Sequence, residues 1–315
     1  MPSGAVNLST VVVSYNAEAL LEQCLTNVLR SSGEVIVVDN ASTDDSRRIV
    51  RDLFPSVRLI ELPENRGFGS AANEGIRSAS GRYALLLNPD AWPLPGAVGA
   101  LVHCGEAGER TGVVGPALID RDGRPQPTRL SYPTAWSTGA PAVTSQPRTL
   151  HRALMAAAAL GGRLGRRRGG TATPFSPGAA LLIRRDAYDD VGGFDPGFFM
   201  FYEELDLAWR MRGAGWETRF CPSATFVHVG GASTRPIWTR MYREQLRSHL
   251  RFLAKHEGAE RAQLARRVLV VAVAARAAVA RRERRTAYRS ASRWLRSPEA
   301  SAVIGARVDS RPPPE

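Results

Sequence analysis

LSTVVVSYNAEALLEQCLTNVLRSSGEVIVVDNASTDD, residues 8–45, is the stretch on which the fold turns. Leu8 to Ser14 and Glu34 to Asp39 are short β-branched or apolar runs of strand length. Between them Leu20, Leu21, Leu25 and Val28 recur at helical spacing, and Asn16 ahead of them suits a helix start. The alternation continues downstream. Ser42 and Thr43 precede a helix running from Asp44 to Pro55, Val57 to Glu61 reads as a third strand, and Tyr83 to Leu87 as a fourth. Strands alternating with helices predict an α/β fold with a mainly parallel central sheet wrapped by helices. In such sheets ligands bind outside the carboxyl ends of the strands, where Asp39, Asn88 and Asp90 all fall. The first strand ends Val13-Ser14-Tyr15-Asn16 and lacks the G-x-G-x-x-G turn, which disfavours a dinucleotide-dependent dehydrogenase.

From about Gly123 to Pro174 the pattern dissolves into Pro, Gly, Ser, Thr and Arg, with one Ala-rich helical piece around His151 to Leu160. A variable or lid region is expected there. Order returns with a buried strand at Gly178 to Arg184, then Val191-Gly192-Gly193-Phe194-Asp195, then a helix beginning near Glu203. Trp216 to Cys221 and Thr225 to Val229 read as closing strands, and no internal repeat is visible.

The 315 residues, 43% of them hydrophobic, can build one large α/β domain or two modest ones. Cys24, Cys104 and Cys221 are far apart, odd in number and without metal-ligand spacing, so a disulfide is not expected and a reducing compartment is. Residues 1–7 show neither a basic n-region nor an apolar run, so no secretory signal is expected. The net charge of +12 is uneven, because residues 261–315 hold thirteen arginines against four acidic residues. A second basic cluster is Arg163, Arg166, Arg167 and Arg168. Such tails meet anionic lipid or nucleic acid. The apolar run Val268 to Ala275 is broken by Arg276, well short of the ~20 residues of a membrane span. Two readings of this tail stand open, a helix lying on a membrane surface and a helix packed back on the domain. No nucleic acid is expected, since the aromatics gather ahead of an acidic block and do not interleave with the arginines.

Five places carry chemistry. Asp39, in Val38-Asp39-Asn40-Ala41-Ser42, can accept a hydrogen bond from a nucleobase imide or a ribose hydroxyl. The segment from Asn65, Arg66 and Gly67 to Asn73 and Gly75 puts small residues at a helix start, leaving N–H groups open to an anion; Asn73 and Gly75 equally suit close helix packing. Asp90, in Asn88-Pro89-Asp90, suits a hard divalent cation bridging two phosphates. Glu203, Glu204 and Asp206 open a helix behind Gly192, Gly193, Phe194, Phe198, Phe199, Phe201 and Tyr202, a dry setting in which a glutamate keeps enough basicity to take a hydroxyl proton. His228 lies at a strand end in Phe226-Val227-His228-Val229.

In this order, Val-Ser-Tyr-Asn, Val-Asp-Asn-Ala-Ser-Thr-Asp, Asn-Arg-Gly-Phe-Gly-x-Ala-x-Asn, Leu-Asn-Pro-Asp, Gly-Gly-Phe-Asp and Glu-Glu-Leu-Asp-Leu resemble the family 2 inverting glycosyltransferases of the GT-A fold, over roughly residues 8 to 233. The rhamnosyltransferase branch is the most similar, including bacterial enzymes that act on N-acetylglucosaminyl-diphospho-polyprenol. The resemblance implies a donor site of Ser14, Tyr15, Asn16, Asp39, Asn65, Arg66, Gly67, Asn73, Asn88 and Asp90. It also implies Mg²⁺ or Mn²⁺ on Asp90 and His228, and catalysis by Glu204 with Glu203 and Asp206 beside it, either glutamate being able to serve as the base. The implied partners are a dTDP- or UDP-linked sugar, most of all dTDP-rhamnose, and a glycan or polyprenyl-diphosphate-linked acceptor in cell-wall or surface polysaccharide synthesis. The expected place is the cytoplasm, and the basic tail leaves open a peripheral position on the inner face of the cell membrane. Residues 1–258 would form the GT-A domain, with 1–122 as the nucleotide-sugar half, 123–174 as a variable insert and 175–258 as the acceptor half. Residues 259–315 would be a basic helical tail, partly disordered at its end.

Overall fold

A computed structural model describes residues 8–31, 33–128, 130–133, 172–173, 178–230 and 237–306. The Ala-rich piece expected around His151 to Leu160, the cluster from Arg163 to Arg168 and the end of the tail lie outside the described residues. Strands β1 (Leu8–Ser14), β2 (Glu34–Asp39), β3 (Arg58–Glu61) and β4 (Tyr83–Leu87) form where the apolar runs predict. They pair in parallel, in the order β3-β2-β1-β4. Every residue of β1 and β4 is buried, as befits strands covered by helices on both faces. The sheet then extends through β9 (Ala180–Arg184), β6 (Thr111–Ile119), β10 (Glu217–His228) and β5 (Ala91–Pro93). β9 runs antiparallel to both of its neighbours, β10 runs parallel to β6, and β5 is antiparallel to β10. A two-stranded ribbon joins β7 (Leu130–Ser131) to β8 (Ala172–Thr173).

Two details differ from expectation. β6 stands in a stretch whose apolar run is punctuated by Gly112, Gly115 and Pro116, which masks a strand. The two closing strands are one, β10, whose register slips between Cys221 and Thr225, where Pro222 cannot donate to the ladder.

Helices cover both faces. On one, α1 (Glu18–Val28) and α4 (Ala97–Glu106) lay Leu21, Leu25, Leu101 and Val102 on Val12, Val37, Leu85 and Leu182. On the other, α3 (Phe68–Ser78), α5 (Arg185–Asp190) and α6 (Glu203–Gly213) bring Ala72, Ile76, Tyr188, Leu207 and Met211 onto Val11, Val38, Leu86 and Leu181. A Cβ on Gly75 would collide with Val11 and come within 2.9 Å of Val38, so this glycine lets α3 lie flat on the sheet. The short α2 (Ser46–Leu53) follows β2.

Cys104 and Cys221 form a disulfide, contrary to expectation. Their separation of 117 residues along the chain hid the fact that α4 packs across β10 and brings their Cα atoms to 6.1 Å. The ground for expecting a reducing compartment falls with it; Cys24 is the buried free thiol.

At the C-terminus α7 (Trp238–His256), α8 (Ala259–Val279), α9 (Arg282–Leu295) and α10 (Pro298–Gly305) share one apolar cluster, with Leu246, Leu250 and Leu253 of α7 against Leu269, Val273, Trp294, Leu295 and Ile304. The boundary expected at 258/259 falls at the turn between α7 and α8, so it would divide this cluster. One face of α8 thus packs back on the protein, one of the two readings left open above. No helix among the described residues is long and apolar enough to cross a membrane.

Candidate active site

The carboxyl edge of the sheet gathers most of the residues singled out in the sequence. Ser14 and Asp39 end adjacent strands in direct register. Asp39 is 1% exposed; its Oδ1 accepts from the Ser42 N–H at 2.9 Å and from Arg47 Nε at 2.5 Å. Its Oδ2 and the Ser14 Oγ are buried with no protein partner among the described residues. An unsatisfied buried polar atom costs roughly 1–3 kcal/mol, so two side by side mark a place where a ligand completes the hydrogen bonding. Tyr15 is half-buried beside them. Asn16, exposed and left-handed at φ +49°, accepts the Thr43 N–H on its Oδ1 at 2.8 Å.

Asn40, which the sequence did not single out, ties this wall to the next loop. Its Oδ1 accepts the Arg66 N–H at 2.9 Å, and its Nδ2 donates to Asn65 Oδ1 at 3.0 Å and to the Gly67 carbonyl at 3.2 Å. A Cβ on Gly67, at φ +84°, would collide with the Phe199 carbonyl, and the Phe68 N–H donates to that same oxygen at 2.9 Å. Asn65, Arg66 and Gly67 therefore stand between the Asp39 wall and the segment leading into α6. Arg66 is exposed. Asn73 does not join them. Its Nδ2 donates to the Phe194 carbonyl at 2.9 Å, while its Oδ1 accepts from the Phe194 N–H at 2.9 Å and from the Tyr188 hydroxyl. The amide thus has both ends bonded, to Phe194 and Tyr188, which fits the packing alternative that the sequence left open.

After β4, Asn88 enters a turn through its main chain, its N–H donating to the Ala179 carbonyl at 3.0 Å and its own carbonyl accepting from Ala91 at 3.1 Å. β5 then pairs with β10 so that Ala91 faces His228, and the Val229 N–H donates to the Asp90 carbonyl at 3.0 Å. This register brings His228 Nε2 to 3.6 Å from Asp90 Oδ1. Gln126, another residue the sequence did not point to, clamps the ring. Its Oε1 lies 2.9 Å from His228 Nδ1, and its Nε2 donates to the His228 carbonyl at 2.7 Å. An amide oxygen can only accept, so Nδ1 carries the proton and Nε2 turns a lone pair toward Asp90. Burial pushes the His228 pKa down against the opposite pull of Asp90, which favours the neutral ring a metal needs. A carboxylate oxygen and an imidazole nitrogen converging, with the far ring nitrogen donating to an amide, fit a divalent cation. Among the described residues no group of three or more His, Cys, Asp or Glu side chains forms a fuller cage, so ligand oxygens or water would complete the shell.

α6 runs antiparallel to the parallel strands. Met211, near its end, lies beside Gly112 at the start of β6, whereas Glu203 packs on Gly69 at the start of α3. Its first turn therefore opens on the carboxyl edge. Two left-handed residues, Phe201 (φ +68°) and Tyr202 (φ +69°), lead into it. With Asn16 and Ala41 (φ +66°) they are the positive-φ non-glycines among the described residues, and all four flank this edge, where such strain of roughly 1–3 kcal/mol each tends to collect. Glu204 falls on the same helical stripe as Leu207, Ala208 and Met211, which face the sheet. Glu203 and Glu204 are both buried, and the Oε2 of each has no partner among the described residues. Burial pushes the Glu204 carboxyl up to about 7. Burial and the neighbouring Glu204 push Glu203 up as well.

Asp206 differs from the two glutamates in being fully ion-paired. It is fully buried, yet Arg210 Nε lies 2.8 Å from its Oδ2, and Lys255 Nζ and His256 Nε2 lie 2.7 and 2.8 Å from its Oδ1. Burial alone would raise its pKa, but His256, Arg210 and Lys255 more than offset it and hold the carboxyl far below the usual range. It binds α7 to α6. Lys255 extends the link to Asp195 at 2.8 Å.

Solved structures share this architecture. A mannosyltransferase from Pyrobaculum calidifontis, in complex with GDP-Man and Mn²⁺, superposes with a TM-score of 0.52 at 18% identity, over 96% of this chain and 87% of that one. Glucosyl-3-phosphoglycerate synthase from Mycobacterium tuberculosis, with Mn²⁺, UDP and phosphoglyceric acid, gives 0.53 at 19% identity over 80% and 78%. The fold is that of the GT-A glycosyltransferases. Residues 9–192 match the family model described as glycosyl transferase family 2, and the chain belongs to that family and is a transferase. Over 249 residues it is 30% identical to N-acetylglucosaminyl-diphospho-decaprenol L-rhamnosyltransferase of Mycobacterium tuberculosis (strain ATCC 25618 / H37Rv), covering 72% of this chain and 77% of that protein.

Proposed function

We propose that the protein is an inverting, divalent-metal-dependent rhamnosyltransferase that moves L-rhamnose from dTDP-rhamnose onto a hydroxyl of a lipid-linked or glycan acceptor. The observation that carries the reading is the pair of buried glutamates with open Oε2 atoms on the sheet edge where Asp39 Oδ2 and Ser14 Oγ are also open. The likeness to a rhamnosyltransferase acting on a decaprenol-linked sugar supports the sugar and the acceptor class.

In this reading Asp39 Oδ2 accepts from the thymine imide or a ribose hydroxyl, and Ser14 Oγ completes the contact. The exposed Arg66 side chain meets the diphosphate, since the Arg66, Gly67 and Phe68 N–H groups are already bonded to Asn40, Asn65 and Phe199. Asp90 and His228 would hold the cation, which supplies positive charge to the departing diphosphate. Glu204 accepts the proton of the acceptor hydroxyl as its oxygen bonds to the anomeric carbon. The bond to the diphosphate oxygen breaks in the same displacement, and dTDP leaves with the electron pair. Burial gives Glu204 this basicity, while Glu203 beside it is held up by burial and by the charge of Glu204.

The test is a melting-temperature screen of dTDP-rhamnose, dTDP-glucose, UDP-glucose and UDP-N-acetylglucosamine with Mn²⁺, followed by dTDP release with a polyprenyl-diphosphate N-acetylglucosamine acceptor. Stabilisation by dTDP-rhamnose with acceptor-dependent dTDP release is expected. Stabilisation by a UDP-sugar alone would move the donor to the uridine series and end the rhamnosyl assignment.

A further inference from the structure

α8 packs Ala265, Leu269 and Val273 inward and leaves its other face uncovered among the described residues. On that face Leu264, Val268, Val271 and Val279 are 40%, 37%, 70% and 72% exposed, with Ala275 exposed between them. At 100° per residue these five positions lie within an arc of about 80°, so they make one apolar stripe along a helix about 30 Å long. A continuous exposed apolar stripe marks an interaction surface more often than chance. Arg267 borders it, and the exposed Arg281 and Arg282 close its end.

We infer that this stripe is where the protein docks on an anionic lipid surface. Apolar side chains bordered by Arg267 and closed at one end by Arg281 and Arg282 suit a lipid headgroup boundary, where hydrocarbon and phosphate lie together. A second copy of the chain would set arginine against arginine across the stripe. The end of the stripe lies close to the catalytic segment. Arg284, five residues after Val279, sits over the ring of the half-exposed Trp238, and Arg240, two residues further along α7, sits over the ring of Phe199. Phe199 is the residue whose carbonyl holds the start of α3. Two cation–ring contacts thus link the end of the stripe to the segment that leads into α6. The inference rests on the transferase reading only for its purpose, access to a lipid-linked acceptor; the surface itself is tested without turnover.

The experiment is flotation of the full-length protein with phosphatidylcholine vesicles made with and without phosphatidylglycerol. The variants are Val271→Asp with Val279→Asp, and Arg281→Glu with Arg282→Glu; melting temperature, sedimentation and dTDP release to a soluble acceptor are measured alongside. Wild type is expected to float only with the anionic vesicles and less in high salt. The valine pair should abolish flotation at unchanged melting temperature, and each arginine lost should weaken binding about fivefold. Flotation of the valine variant equal to wild type, flotation that ignores phosphatidylglycerol, or a wild-type dimer that the valine variant splits would each overturn the inference. Loss of dTDP release from wild type would count against the proposed function and leave the flotation result standing.

Discussion

Replacing Glu204 with Gln is expected to make the protein more stable and nearly inactive at the same time, and the pH at which the two effects appear is fixed by one carboxyl. Burial raises that carboxyl from the ordinary 4.5 to about 7. Below pH 4.5 both the folded and unfolded chains hold the proton, and the group is neutral to stability. Between 4.5 and 7 the unfolded chain releases it while the folded chain keeps it, so wild-type stability falls as pH rises. Above 7 the folded protein carries a buried charge, and the loss has reached about 3 kcal/mol. Glutamine has the same shape and no proton to lose. In urea unfolding series at pH 5 and pH 8, the variant should therefore lie within about 1 kcal/mol of wild type at pH 5 and exceed it by up to about 3 kcal/mol at pH 8. Turnover should behave oppositely. The wild-type rate should climb as pH rises through about 7, where Glu204 ionises, and the variant should be slower by roughly 10²–10⁴-fold at every pH. A variant no more stable than wild type at pH 8, or one within tenfold of its rate, would refute the assignment of Glu204 as a buried base. A larger rate loss in Glu203→Gln than in Glu204→Gln would move the base by one residue.

Three further outcomes follow from the geometry. Asp90→Ala should lower Mn²⁺-dependent affinity for dTDP by at least about tenfold in calorimetric titration while leaving the metal-free melting curve within about 1 kcal/mol, because the carboxylate stands at an edge outside the core. Gln126→Ala frees the His228 ring and should weaken Mn²⁺ binding about 10–100-fold by electron paramagnetic resonance of the free ion; unchanged binding would remove Gln126 from the metal shell. Cys104→Ala opens a cross-link spanning 117 residues and should lose about 3–5 kcal/mol relative to the oxidised wild type, whereas equal melting under non-reducing conditions would show the bond is not formed in solution.

The sequence made the parallel half of the sheet readable because Val11 to Val13, Val35 to Val38 and Leu85 to Leu87 are uninterrupted apolar runs with turn residues behind them. Asp39, Asp90 and the two glutamates were readable for the same reason, since their positions at strand ends and helix starts are set by local pattern. The partners of Asn73 and Asp206, namely Phe194, Tyr188, Lys255 and His256, were not readable, because they come from distant segments that only packing brings near. Asn40 and Gln126 were missed for the converse reason, as an uncharged amide carries no signal until the loop it clamps is seen. The disulfide was lost in the same way, with Cys104 and Cys221 on elements that become neighbours only when the sheet closes.

The place of β9 bears on how the chain acquires its structure. β6 has no ladder to β4, although α4 alone separates β5 from β6 in the sequence; β9, about sixty residues later, must slide between β4 and β6 before β6 gains its first sheet partner on that side. An emerging chain of residues 1–122 thus holds a four-stranded sheet open at β4 as well as at β3, and two strands, β5 and β6, with nowhere to pair. Closure of the sheet waits for Ala180 to Arg184 and, for β6's other flank, for β10. Contacts this distant in sequence slow folding and leave apolar edges uncovered for longer. Residues 1–122 are therefore not expected to mature ahead of the rest, and a ribosome-bound chain stopped at residue 122 should bind no nucleotide while one released past β10 should.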